Sequence, residues 1–308
     1  MHLDELFVIP AKAGIQAQPR REDTARRRAE GGQCPPYGVP VFAWLKTKRR
    51  ERALTTHAIP DDEWNAALHE LPFLDHYAPE LIARLRELTT LFLVEKSITS
   101  GATSGEHALE ITPHMRIMIG AQASLLILGR GATVAEAMRD YEGWENVVVY
   151  PGDFPRTQDY EDEAGVVHHL DEPIAGESWE GGPVLLSWPA VEAGYDESGM
   201  ALVVHEFAHK IDMLDGAVNG MPPLPAKARA AFRNALDEAY AHFCGCVARN
   251  LDTAIDPYAA EANDEFFAVT CEVFFAEPEL LLHEYPLYYA QLQSYFRVDP
   301  IQGTLTPK

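Results

Sequence analysis

The run Met200-Ala-Leu-Val-Val-His205-Glu206-Phe207-Ala208-His209-Lys210-Ile211-Asp212 carries both a helix and a chemistry. Its apolar residues recur as a buried helix requires. Ser198 or Gly199 can cap its start, and Gly216 can end it. On a helix, residues four apart share a face, so the imidazoles of His205 and His209 can bind one zinc while Glu206 is directed toward a water on it. With 12 His in 308 residues, an HExxH pattern arises by chance roughly 0.04 times per chain. The helical setting therefore has to support it, and it does. A catalytic zinc takes three protein ligands, so a further side chain must come from elsewhere.

Two acids compete for that place. Asp215 lies six residues beyond His209, but the turn that would bring it back has Asp212 where a glycine is expected. Glu265 lies in Asp264-Glu-Phe-Phe-Ala-Val-Thr-Cys-Glu272, a predicted helix on which Glu265 and Glu272 share a face beside Ala268 and Val269. A carboxylate on a half-buried face needs a partner. A cation would partner Glu265, and Glu272 is placed to accept from a ligand imidazole. Asp212 is a second acceptor of that kind.

Around this segment the chain reads as α+β and mainly helical. An acidic first turn opens a helix at Pro60-Asp61-Asp62-Glu63-Trp64; Leu81, Leu85 and Leu88 repeat at helical spacing; Thr112-Pro113 leads into an apolar helix over about 115–128. A further helix is expected from about Ala226 to Arg249. Val147 to Tyr150, Gly165 to His168 and Val184 to Trp188 read as three strands of one small sheet. No repeat or linker divides the chain after residue 42, so 41–308 is expected to be a single domain.

The composition, 47% hydrophobic and 23% charged, excludes a fibrous or wholly disordered chain. The 25 Lys+Arg against 47 Asp+Glu give a net charge of −22, which disfavours nucleic acid and anionic lipid as partners. Residues 1–40 run against this trend, rich in Arg, Glu, Gly and Pro, and are expected to be a disordered extension, or translated sequence ahead of a start near Val41. Asp4 and Glu5 precede only a short apolar run, so no secretory signal is expected; no segment reaches the roughly 20 apolar residues of a membrane helix. Cys34, Cys244, Cys246 and Cys271 form no disulfide framework or Cys-x-x-Cys pair, which fits a cytoplasmic setting.

Several spaced segments, Val203 to Asp212, Asp256-Pro-Tyr258-Ala-Ala, Glu265 to Leu280, Tyr150-Pro151, Gly165-Val-Val-His168, Trp179, Gly182 to Trp188 and Asp196-Glu-Ser-Gly199, together resemble the Mlc titration factor A family of bacterial zinc metallopeptidases. The resemblance runs from about Val41 to Pro300. It implies a zincin-like core similar to the catalytic domain of anthrax lethal factor, one zinc held by His205, His209 and Glu265, and thus no ligand role for Asp215. It also implies a functional histidine at His168, as additional ligand or substrate contact, and a tyrosine near the zinc at Tyr258, able to stabilise an oxyanion. Aminopeptidase-type activity on peptides, with Glu206 as general base, and binding to the Mlc repressor of sugar uptake follow from the same likeness. Two other readings stay open: a repressor-sequestering protein with a non-catalytic zinc, and a zinc hydrolase of non-peptide amides.

Overall fold

The structure, a computed structural model, describes residues 41–102, 108–161, 167–194 and 201–306, without the side chains of 41–43 and 156–173. The expectation for residues 1–40 lies outside the described residues, as do Ser198 and Gly199. Residues 46–308 form one compact unit.

The first half is helical. After α1 (Val41–Thr56), α2 (Asp61–His69) begins with Asp61, Asp62 and Glu63 in its first turn, where carboxylates favour the helix dipole. The helix α3 (Pro79–Glu95) buries Leu81, Leu85, Leu88 and Phe92 and leads into β1 (Ser97–Ser100). Thr112 caps α4 (Pro113–Leu125) by accepting from the Met115 amide at 3.2 Å. Almost every side chain of α4 is buried, which makes it a central helix rather than an amphipathic surface one. It stops before the expected Leu128, because the chain must turn at Gly129. There a Cβ would collide with the carbonyl of Phe296 and come within 2.5 Å of the Arg297 oxygen. Two backbones touch at that point, so Gly129→Ala is expected to destabilise the fold by about 1–3 kcal/mol, read from the urea midpoint.

Beyond α5 (Val134–Ala137) come β2 (Asn146–Tyr150), β3 (Phe154–Glu161), β4 (Val167–Ile174), β5 (Gly176–Ser178) and β6 (Val184–Ser187). The four-stranded sheet has the order β1-β2-β6-β5, with β1, β2 and β6 parallel and β5 antiparallel to β6. One expectation is corrected here. The strand carrying His168 belongs to a separate antiparallel hairpin, β3–β4, running from Phe154 opposite Ile174 to Glu161 opposite Val167. Short β-branched runs state that a strand forms but not with which neighbour it pairs. The sheet's edges, β1 and β5, are short and polar, as edges tend to be, and for that reason lacked the apolar run that marks a strand.

The remaining elements are α6 (Trp188–Ala193), α7 (Leu202–Asp212), α8 (Ala226–Val247), α9 (Asn263–Ala276), α10 (Pro278–Glu284), α11 (Pro286–Phe296) and the small β7 (Val298–Asp299) and β8 (Thr304–Leu305) pair. Mainly helical with a small mixed sheet, the fold is α+β as expected. All eleven residues of α7 are buried, between α4, β5, β6 and α9. Its Phe207 ring meets Phe92, Tyr141 and Trp144 at centroid distances of 5.6, 5.4 and 5.6 Å. Burying such a ring stabilises by about 1.5–3 kcal/mol and fixes which face of α7 points away from this cluster. No helix among the described residues is long and apolar enough to cross a membrane.

Candidate metal centre and active site

The face of α7 opposite Phe207 presents His205 and His209, and α9 brings Glu265 across to them. Nε2 of His205 lies 3.2 Å from Nε2 of His209 and 3.1 Å from Oε2 of Glu265; His209 Nε2 and that oxygen are 3.4 Å apart. Metal bonds of 2.0–2.1 Å directed tetrahedrally place ligand atoms about 3.3 Å apart, so this triangle has the size of one face of such a site. The three groups could hold a metal ion. Asp215 is not among them. After Asp212 the chain tightens into a 3-10 turn over Met213–Asp215 and reverses at Gly216, whose φ is +83°, leaving Asp215 exposed with its Oδ1 on the Ala217 amide.

Glu272 orients the first imidazole, as its position on the helix led us to expect. His205 Nδ1 donates to Glu272 Oε1 at 2.8 Å, which leaves the Nε2 lone pair for an ion. The other oxygen of Glu272 accepts from the Ala201 amide at 2.5 Å. Ala201, not Ser198 or Gly199, is the N-cap of α7, and it offers no side-chain cap; the carboxylate from α9 satisfies an amide there instead. Asp212 serves the following loop rather than an imidazole, its Oδ2 accepting from the amides of Asn219 and Gly220, each at 2.8 Å.

The charges of this cluster act on one another. Burial disfavours a charged His205, but its bonds to Glu265 and Glu272 and the charge of Glu206 prevail and hold its pKa well above the usual histidine value. Burial likewise acts to raise Glu265, and His205 and His209 reverse this, holding its carboxyl well below the usual range. The stabilisation from His205 is fully present below an unfolded pKa of about 6.5 and is lost as pH rises through the folded value. That from Glu265 is present above about 4.3 and is lost as pH falls. Metal-free protein is therefore expected to melt highest between about pH 4.5 and 6.5, measured by calorimetry across pH.

Glu206, also buried, takes a carboxylate pKa raised by desolvation and partly restored by His205, His209 and a bond from Ser178. Ser178 Oγ lies 2.8 Å from Glu206 Oε2. The site opens into a cavity of about 490 Å³ lined by β5, α7, α9 and the Asp256–Tyr258 turn. The ring of Tyr258 lies 6.2 Å from that of His205 and is 43% exposed. Burial and the charges of Glu265 and Glu261 push its pKa up, so its phenol keeps its proton as a donor. His168 falls in β4, but its side chain lies outside the described residues.

Sequence reasoning missed Gly176, Ser178 and Lys210. The ammonium of Lys210 is buried and donates to the carbonyls of Trp179 and Gly182, at 2.8 Å for the latter, tying the turn after β5 to α7. A lysine inside an apolar run and a glycine in a short polar strand were the available signals.

A buried HExxH helix with an acid delivered from a second helix defines the metal-dependent peptidase class. This chain belongs to the glucose-regulated metallo-peptidase M90 family, whose profile matches residues 45–297. It is similar to the Mlc titration factor A of Yersinia enterocolitica, 33% identical over 242 residues, which is 78% of this chain and 86% of the relative. The proteins of that name from Klebsiella pneumoniae and Pectobacterium atrosepticum are 33% and 32% identical, each over 78% of this chain and 87% of their own length.

Proposed function

We propose that the protein is a zinc-dependent, aminopeptidase-like peptidase with one zinc per chain held by His205, His209 and Glu265. The observation that carries this reading is the triangle of 3.1, 3.2 and 3.4 Å between their ligand atoms, beside a buried glutamate. The ion, when bound, supplies Lewis acidity that brings the pKa of a water toward about 7 and polarises a carbonyl. Glu206 takes the proton of the attacking water and returns it to the leaving amine. The Tyr258 O–H is a donor for the oxyanion that develops. His168 sits in β4, whose last residue, Ile174, lines the cavity; its part as additional ligand or substrate contact is carried by the family resemblance.

Peptides are favoured over other amides because β5, which lines the cavity, pairs only with β6 among the described residues. A strand edge beside a cavity is where an extended chain adds on. Asp256, Asp264 and Glu277 line the same cavity, with no Lys or Arg among the described residues that line it, which supports a free amino terminus on the substrate. The free thiols of Cys244, Cys246 and Cys271 fit a cytoplasmic setting. Elemental analysis should find one zinc per chain, lost in Glu265→Ala, with hydrolysis of amino-terminally free peptides abolished by a chelator. Full zinc in Glu265→Ala, or chelator-resistant cleavage, would refute the assignment.

The names of the relatives favour a second reading, association with the Mlc repressor. Should the protein act only by sequestering Mlc, binding would survive both Glu206→Gln and zinc removal while no peptide is cleaved.

A further inference from the structure

Gly176 and Ser178 are alternate residues of β5, so they face the same side of the strand, and that side meets Glu206. The geometry points to both as positioning residues for Glu206, the serine hydroxyl holding its carboxylate and the glycine leaving room for it; this rests on the peptidase reading above. Ser178 Oγ lies 2.8 Å from Glu206 Oε2 and 2.8 Å from the main-chain oxygen of the same residue. One hydroxyl proton serves one acceptor at a time. Toward the ionised carboxylate the bond is charge-assisted and the stronger of the two. The transferred proton travels from water to Glu206 to the leaving amine, and the serine keeps its own throughout.

Gly176 makes the second wall. A Cβ at that residue would lie 2.8 Å from Glu206 Cδ and closer still to Oε1. Glu206 can rest against β5 only because the strand has no side chain there. Lys210, one turn further along α7, ties the end of β5 to the same helix. The base and the strand that holds it are thereby fixed to one another.

The test uses full-length zinc-loaded protein carrying Ser178→Ala, Ser178→Thr or Gly176→Ala. Ser178→Ala is expected to lower kcat about tenfold or more while KM and zinc content stay within about twofold of the parent. Ser178→Thr, which keeps the hydroxyl, should recover most of the loss, and Gly176→Ala should lower kcat about 10²-fold. A second readout needs no activity: in metal-free protein, Ser178→Ala should lower the urea midpoint more in the parent than in the E206A background, where only the main-chain oxygen remains as acceptor. Parental kcat in Ser178→Ala, no recovery in Ser178→Thr, or equal midpoint losses in both backgrounds would overturn the proposal. A parent that cleaves no peptide would instead refute the peptidase reading, while the midpoint comparison still reports whether Ser178 holds Glu206.

Discussion

Glu206→Gln should lower kcat by about 10²–10⁴-fold, the range that loss of a general base produces, and leave zinc content at the parental level. The amide has the carboxylate's shape and still offers an oxygen to Ser178, but it cannot take a proton from water. None of the three ligand atoms belongs to this side chain. A stability change of definite sign accompanies the loss. Burial raises the pKa of Glu206 in the fold, so ionising it opposes folding once the pH exceeds its unfolded value of about 4.3. The variant is therefore expected to melt at or above the parental temperature at neutral pH, and to converge with the parent in acid. Peptide hydrolysis, zinc analysis and calorimetry on both proteins read all three effects. Parental turnover in Glu206→Gln would remove Glu206 as the base.

Glu272→Ala should act through the metal rather than through the base. Both oxygens of Glu272 are engaged, on His205 Nδ1 at 2.8 Å and on the Ala201 amide at 2.5 Å, and the side chain is buried. Removing it leaves two buried donors unpaired, at a cost of about 1–3 kcal/mol for each group, and frees the His205 ring to rotate. Loss of such an orienting acceptor lowers metal affinity by about 10–100-fold. Glu272→Gln should restore little. Its single oxygen can satisfy one donor, and its amide nitrogen then faces the other. Zinc titration against a competing chelator, with urea unfolding alongside, measures both; affinities within about twofold of the parent in both variants would show that Glu272 does not orient the ligand.

The helices were legible because their signals are local. Leu81, Leu85 and Leu88 are all buried on α3, and the acidic opening of α2 falls where it was read. Glu265 and Glu272 share the face of α9 expected from their spacing, and both reach His205. The hairpin and the sheet were confused because apolar runs of similar length and composition served two different pairings. The strand β5 escaped notice because three residues, one of them glycine, leave no alternation to detect. Its importance arises from what it touches.

By itself the sequence determined that His205 and His209 share a helical face with Glu206 beside them, since one turn of helix sets that relation whatever surrounds it. Residue spacing left two distant acids open; the family resemblance implied Glu265, and the tertiary structure is what brings it to the two histidines. The choice between Asp215 and Glu265 depends on how the turn after α7 closes and on which face α9 lays against that helix. Those are outcomes of packing between segments some sixty residues apart, and no local periodicity encodes them. The same packing set Gly176 and Ser178 against Glu206, through contacts that exist only once β5 lies alongside α7.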